Sequence, residues 1–143
     1  MASVADANYA DPAVMVRLLT SAPVWAIVGL STNTRRAAHG VAEVLARRGR
    51  TIVAIHPRAE TVHGARGYAT LAQVPMAIDV VDCFVNSALV GDVVDQAITV
   101  GARAVWLQLG VIDADAAARA AAAGLAVVMD RCPAIEGPRL GVW

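Results

Sequence analysis

The run Val24-Trp25-Ala26-Ile27-Val28 is apolar without interruption and stops at Gly29, after which Leu30-Ser31-Thr32-Asn33-Thr34-Arg35-Arg36 leads into a helical pattern. An unbroken apolar run suits a strand covered on both faces, because neither of its sides can then be polar. The stretch reads as strand, tight turn and helix. Free backbone N–H groups and the positive end of a helix dipole gather at such a turn, so an anion binds there with little rearrangement. Gly29 can adopt φ values closed to other residues, and Ser31, Thr32, Asn33 and Thr34 add side-chain donors. Phosphate is the natural guest. Without an anion the stretch is a plain βα connection with an N-cap.

The pattern recurs along the chain. A loose first ten residues give way to Asp11-Pro12, an N-cap followed by proline, with Val14, Met15, Leu18 and Leu19 on one helical face. After the Gly29 turn, Val41, Val44 and Leu45 form an apolar stripe that ends at Arg47, Arg48 and Gly49. Thr51–Ile55 is a second strand, ended by His56-Pro57. Tyr68 marks a short edge strand, and Thr70–Val74 one helical turn. Ile78–Val85 is a strand interrupted by Asp79 and Asp82, and Asn86 and Ser87 open a helix with Val90, Val93, Val94, Ala97 and Ile98 on one face. Ala104–Leu109 and Leu125–Met129 are further strands, separated by an alanine-rich helix capped by Asp113. The tail after Pro133 has no periodicity. Asp82 is expected to be a hydrogen-bonded structural carboxylate, since no base or metal partner lies near it in sequence.

Buried strands alternating with amphipathic helices imply an α/β fold, a Rossmann-like doubly wound parallel sheet flanked by helices, with strand order 3-2-1-4-5-6. In that topology Gly29–Thr34, Ile55–Pro57, Val85–Ser87, Leu107–Gly110 and Arg131–Pro133 all fall at carboxyl ends of strands and share one rim, with residues 11–143 forming a single domain. A chain of 143 residues suits one domain, and 57% hydrophobic against 17% charged residues argues against disorder. No apolar run is long enough for a membrane span. Twelve basic and twelve acidic residues cancel and aromatic residues are scarce, so nucleic acid is not an expected partner and any anion site depends on local placement. Cys83 and Cys132 read as reduced core thiols. Met1–Ala10 has neither a basic start nor a hydrophobic segment, so no secretory signal is read and the cytoplasm is the default expectation.

The dinucleotide fingerprint G-x-G-x-x-G is only one-third present, since Ser31 and Thr34 replace its second and third glycines. The second strand says more. An NAD site places an acid there for the ribose hydroxyls, whereas this strand ends in His56-Pro57-Arg58, which attracts a phosphorylated ribose. The ligand class is then coenzyme A or NADP, with Arg35 and Arg36, read as just inside the helix, as candidates for a pyrophosphate clamp.

Gly29-Leu30-Ser31, Ile55-His56-Pro57, Gly64 with Tyr68 and Leu71, Asp79-Val80-Val81-Asp82, Trp106-Leu107-Gln108-Leu109-Gly110-Val111 and Asp130-Arg131-Cys132 carry a family resemblance. From about Val24 to Arg139 the chain resembles the small stand-alone CoA-binding proteins, which are similar to the CoA-binding domain of the succinyl-CoA synthetase alpha subunit. The resemblance implies that Ser31–Thr34 holds the CoA phosphates and that Ile55, His56 and Pro57, with Arg58, contact the adenosine and its 3′-phosphate. It further implies that Val85, Asn86, Leu107 and Gln108 line the path of adenine and pantetheine. Two departures stand out: the family usually has asparagine at the position of His56, and it often has a proline before and a serine after the loop arginine, where this chain reads Thr34-Arg35-Arg36-Ala37-Ala38.

Acyl-CoA synthetases of that class need a phosphorylated histidine and a nucleotide-grasp domain, for which 143 residues leave no room. No Ser-His-Asp order, carboxylate pair or metal-spaced cluster stands out. The expectation is a protein that binds CoA or acyl-CoA without catalysis of its own, as a carrier, sensor or accessory subunit. The alternative is an NADP-binding oxidoreductase-type domain. A homo-oligomer or a protein partner is left open. Cys132, before Pro133, stands where a thiol could pair with that of CoA, although buried strand-end thiols are inert by default.

Overall fold

A computed structural model describes residues 9–143. Six parallel strands, β1 (Val24–Val28), β2 (Thr51–Ile55), β3 (Gly67–Tyr68), β4 (Val80–Cys83), β5 (Ala104–Leu107) and β6 (Ala126–Val128), form one sheet in the order β3-β2-β1-β4-β5-β6. This is the α/β, Rossmann-like order expected from the alternation. Five helices flank it: α1 (Pro12–Ser21), α2 (Ala37–Arg47), α3 (Ser87–Thr99), α4 (Ala114–Ala122) and α5 (Pro133–Arg139). No helix among the described residues is long and apolar enough to cross a membrane.

Each strand sends alternate side chains to opposite faces. Trp25, Ile27, Ile52, Ala54, Val80 and Trp106 meet Met15, Leu19, Val41 and Leu45 on the side of α1 and α2. Ala26, Val28, Val53, Val81, Cys83 and Val105 meet Val90, Val94, Ala97 and Ala116 on the side of α3 and α4. With both faces covered, the carboxyl edge of the sheet is where ligand chemistry can collect.

The helices begin where their caps dictate. Asp11 accepts the Ala13 N–H at 2.9 Å, Asn86 accepts that of Leu89 at 3.1 Å, and Asp113 accepts that of Ala116 at 3.0 Å. Helix α2 differs. Arg36 is its N-cap and makes no side-chain cap bond, and no acidic residue stands in the first turn. Arg35 and Arg36 therefore precede the helix instead of opening it, because Asn33 takes both of their N–H groups: its Oδ1 accepts from Arg35 at 3.0 Å and its carbonyl from Arg36 at 3.2 Å.

Three other expectations change. Strand β5 stops at Leu107, since the Gln108 carbonyl turns back to accept the Val111 N–H at 2.8 Å. The tail is helical over Pro133–Arg139, with proline at the first helical position and a second, Pro138, inside the helix. Of the ten residues expected to be loose, 1–8 lie outside the described residues, whereas the Tyr9 carbonyl accepts the Met129 N–H at 2.9 Å.

Asp82 is the largest departure. It sits in β4 between Ile27 and Trp106, fully buried, and neither carboxylate oxygen has a hydrogen-bond partner among the described residues. It is not the hydrogen-bonded carboxylate expected from the sequence. Desolvation raises its pKa well above the ordinary carboxylate value, so burial favours its protonated form in the folded protein. The native state then holds a proton that the unfolded chain releases once the pH passes the ordinary value of 3.8, and stability falls as the pH rises from there towards the raised native pKa. Asp82→Val, which removes the unpartnered group, should stabilise the protein by roughly 1–3 kcal/mol at pH 7. The gain should shrink towards pH 4, as read from urea unfolding at several pH values. A variant less stable than the parent at pH 7 would contradict this account.

Candidate ligand-binding cleft

A cleft of about 660 Å³ opens along the carboxyl edge of the sheet, where β1 and β4 lie side by side and the winding reverses direction. Its centre is the turn after β1. Gly29 donates its N–H to the Ile55 carbonyl at 2.8 Å and holds φ at +97°. A Cβ there would drive into the Phe84 carbonyl oxygen and stand 3.2 Å from the Phe84 Cβ, so glycine is required both for conformation and for room. Beyond it, the buried Ser31 accepts the Asn33 N–H on its Oγ at 3.2 Å. The Asn33 contacts then deliver the chain to Arg36 and to the N-terminus of α2, where Ala37 and Ala38 also line the cleft. With no acid in its first turn, the positive end of this helix is left for a ligand.

The wall at β2 carries the charge. His56, Pro57 and Arg58 line the cleft, and the Arg58 N–H donates to His56 Nδ1 at 3.2 Å. In the neutral ring the proton then sits on Nε2, leaving that nitrogen as a donor. Glu60 ties this wall to the loop after β1: its carboxylate accepts from Thr32 Oγ1 at 3.0 Å and from the Thr32 N–H at 3.4 Å, and lies 3.5 Å from Arg58 Nε. The hydroxyl bond from Thr32 is the main reason that the Glu60 pKa falls below the ordinary carboxylate value. Gly67 lets the chain close in here, since a Cβ on it would meet the Glu60 carbonyl oxygen.

At the β5 end, Gln108 is 6% exposed and lines the cleft, yet its Oε1 has no hydrogen-bond partner among the described residues. A buried amide oxygen without a donor is costly. A ligand N–H would satisfy it.

Ten of the residues singled out in the sequence meet in this cleft: Gly29, Ser31, Asn33, Arg36, Ile55, His56, Pro57, Arg58, Val85 and Gln108. The others are placed differently. Leu30 and Leu107 are wholly buried, on opposite sides of the sheet. Thr32 faces Glu60, Thr34 and Arg35 are exposed outside the lining, Asn86 caps α3, and the Gly110 N–H is bound by Asp130 Oδ1 at 2.7 Å. The sequence reading put Leu109 on the rim within Leu107–Gly110, missed Leu71, Phe84 and Gln96 as lining residues, and took Val93 for core. Helical spacing held the signal for α3: Val93 and Gln96 are three residues apart and form a stripe beside the buried Val90, Val94 and Ala97. Cys132 is the half-buried N-cap of α5 and lies outside the lining, while burial pushes the Cys83 thiol up. His39 and His63 meet in a tilted contact with ring centroids 4.2 Å apart, also outside the lining.

Residues 23–138 match the CoA binding domain family. The chain belongs to that family. All five rim segments fall within the matched CoA-binding domain. An uncharacterized protein of Bacillus subtilis, YneT, is 27% identical over 107 residues, which is 75% of this chain and 79% of that protein. A hypothetical protein from Pyrococcus horikoshii is similar with a TM-score of 0.84 and 34% identity, covering 91% of this chain and 92% of the other. A dinucleotide-forming acetyl-coenzyme A synthetase from Ca. Korarchaeum cryptofilum shares the fold, with a TM-score of 0.70 at 21% identity over 81% of this chain and 28% of that enzyme.

Gly29→Ala should cost on the order of 2 kcal/mol, the usual scale of enforced backbone strain. Gly40→Ala, in α2 with nothing within 4 Å of the new Cβ, should instead be neutral or stabilising. Urea midpoints of the two variants check this, and equal midpoints would refute the close approach at Gly29.

Proposed function

We propose that the cleft binds coenzyme A or an acyl-CoA, and that the protein acts without catalysis of its own as a carrier, sensor or accessory subunit. One observation carries the reading: the groups lining the cleft follow the chemical order of CoA along the line β2-β1-β4-β5. His56 and Arg58 suit the 3′-phosphate of the adenosine. The Gly29–Asn33 turn, Arg36 and the N-terminus of α2 suit the pyrophosphate. Gln108, with its unsatisfied acceptor, suits an amide N–H of the pantetheine arm. Arg36 lines the cleft and Arg35 does not, which favours Arg36 as the pyrophosphate partner. His56 is the histidine on the lining, and its Nδ1 is taken by the Arg58 N–H, which supports a binding role rather than a phosphorylated one.

Thermal-shift and calorimetric titrations with CoA, dephospho-CoA, NADP and NAD test the proposal. CoA should bind, and dephospho-CoA should bind roughly ten-fold more weakly, in keeping with the ~1.5–3 kcal/mol worth of hydrogen bonds to a charged group. Arg58→Ala should erase that difference. Stabilisation by NADP and not by CoA would overturn the reading in favour of an oxidoreductase-type domain.

A further inference from the structure

The open end of the cleft beyond Gln108 is apolar and exposed. Leu109 lines the cleft and is 58% exposed, and Ile112, three residues on, is 51% exposed. Between them Val111 is buried and also faces the cleft. The loop that carries them is held from two sides. Ser87 Oγ donates to the Gly110 carbonyl at 3.3 Å and accepts the Ile112 N–H at 2.9 Å, and Asp130 holds the Gly110 N–H. A loop tied in this way keeps two large aliphatic side chains in water, at a standing hydrophobic cost that a ligand would relieve.

The charges around the loop are already paired. Asp130 abuts Gly110 and lies 3.9 Å from the Arg131 guanidinium, which also donates to the Asp130 carbonyl at 2.7 Å and meets Glu136 at 3.3 Å, while Asp113, which follows Ile112, caps α4 and feels the charge of Arg119, itself held by Asp95 at 2.9 Å. A carboxylate brought to this end would find Arg131 committed to Asp130 and Glu136 and Arg119 committed to Asp95, so none of these groups offers it an unpaired cation. An uncharged aliphatic group would meet Leu109, Val111 and Ile112.

We infer that this end of the cleft accepts the aliphatic acyl chain of a medium-chain acyl-CoA, and selects it over free CoA and over acyl groups ending in a carboxylate. The inference rests on the CoA reading above. With the ribose phosphate at Arg58 and the outer of the two pantetheine amides at Gln108, the thioester sulfur falls two methylene groups beyond that amide, towards Leu109. The acyl chain continues along the exposed aliphatic surface.

Isothermal titration calorimetry of the full chain with CoA, octanoyl-CoA and succinyl-CoA tests this, with Ile112→Ser as the variant because that side chain is exposed and lies outside the cleft lining. Octanoyl-CoA should bind about ten-fold tighter than CoA and with a more negative heat-capacity change, as burial of apolar surface requires. Succinyl-CoA should bind no tighter than CoA. Ile112→Ser should remove about two-thirds or more of the octanoyl advantage and leave CoA affinity in place. Equal affinity for CoA and octanoyl-CoA would overturn the inference and leave the CoA reading standing. No binding of any of the three would overturn both. If Ile112→Ser shifts the molar mass measured by light scattering and leaves the octanoyl advantage intact, the surface joins copies of this chain and the acyl assignment fails.

Discussion

The close approach of Gly29 to the Phe84 carbonyl is the contact on which the rest of the site depends. It joins β1 to the segment after β4 at the point where the winding changes direction, and it leaves no space for a side chain. With Gly29 also bonded to Ile55, one residue sets the positions of the ends of β1, β2 and β4. The Ser31 and Asn33 turns start from that fixed point, and through them α2 begins at Ala37 with its first turn directed at the cleft. A side chain at Gly29 would disturb the core packing and the cleft together.

Two arginines stand on the lining of the cleft although the chain has twelve basic and twelve acidic residues. Placement does the work. The first turn of α2 has no acid, Arg36 and Arg58 stand on the lining, and the nearby acid, Glu60, is committed to Thr32 and Arg58. At the opposite end Asp130 is paired with Arg131, Asp113 caps α4, and the exposed side chains are the aliphatic Leu109 and Ile112. The cleft therefore differs along its length, cationic at β2 and apolar at β5, and such a gradient favours one direction of an extended ligand.

What could be read from the sequence was whatever follows from periodicity and punctuation. Unbroken apolar runs gave the parallel strands, Asp11, Asn86 and Asp113 gave the helix starts, and the strand order followed from the alternation. Contacts between distant residues could not be read that way. The link from Glu60 to Thr32 spans 28 positions and follows no pattern, and the pairing of Asn33 with Arg35 and Arg36 delays α2 against its apparent periodicity. Helix α5 was hidden by Gly137 and Pro138, whose local preference opposes a helix that tertiary packing nonetheless forms. Asp82 is the sharpest case. Its burial was legible from its place in an apolar strand, but the lack of any partner depends on what surrounds it in space.

The central claim is that the carboxyl-edge cleft, which runs from Arg58 past Gly29 to Gln108 and Leu109, is where CoA binds. A 15N–1H NMR titration of the full chain with CoA tests it most directly. The account predicts that the backbone amides from Gly29 to Ala38 and the side-chain amide of Gln108 shift together and saturate with one affinity, while amides of α1 and at the amino ends of the strands stay in place. Shifts confined to the opposite edge, around Arg48 and Trp143, or no shifts at saturating CoA, would contradict it.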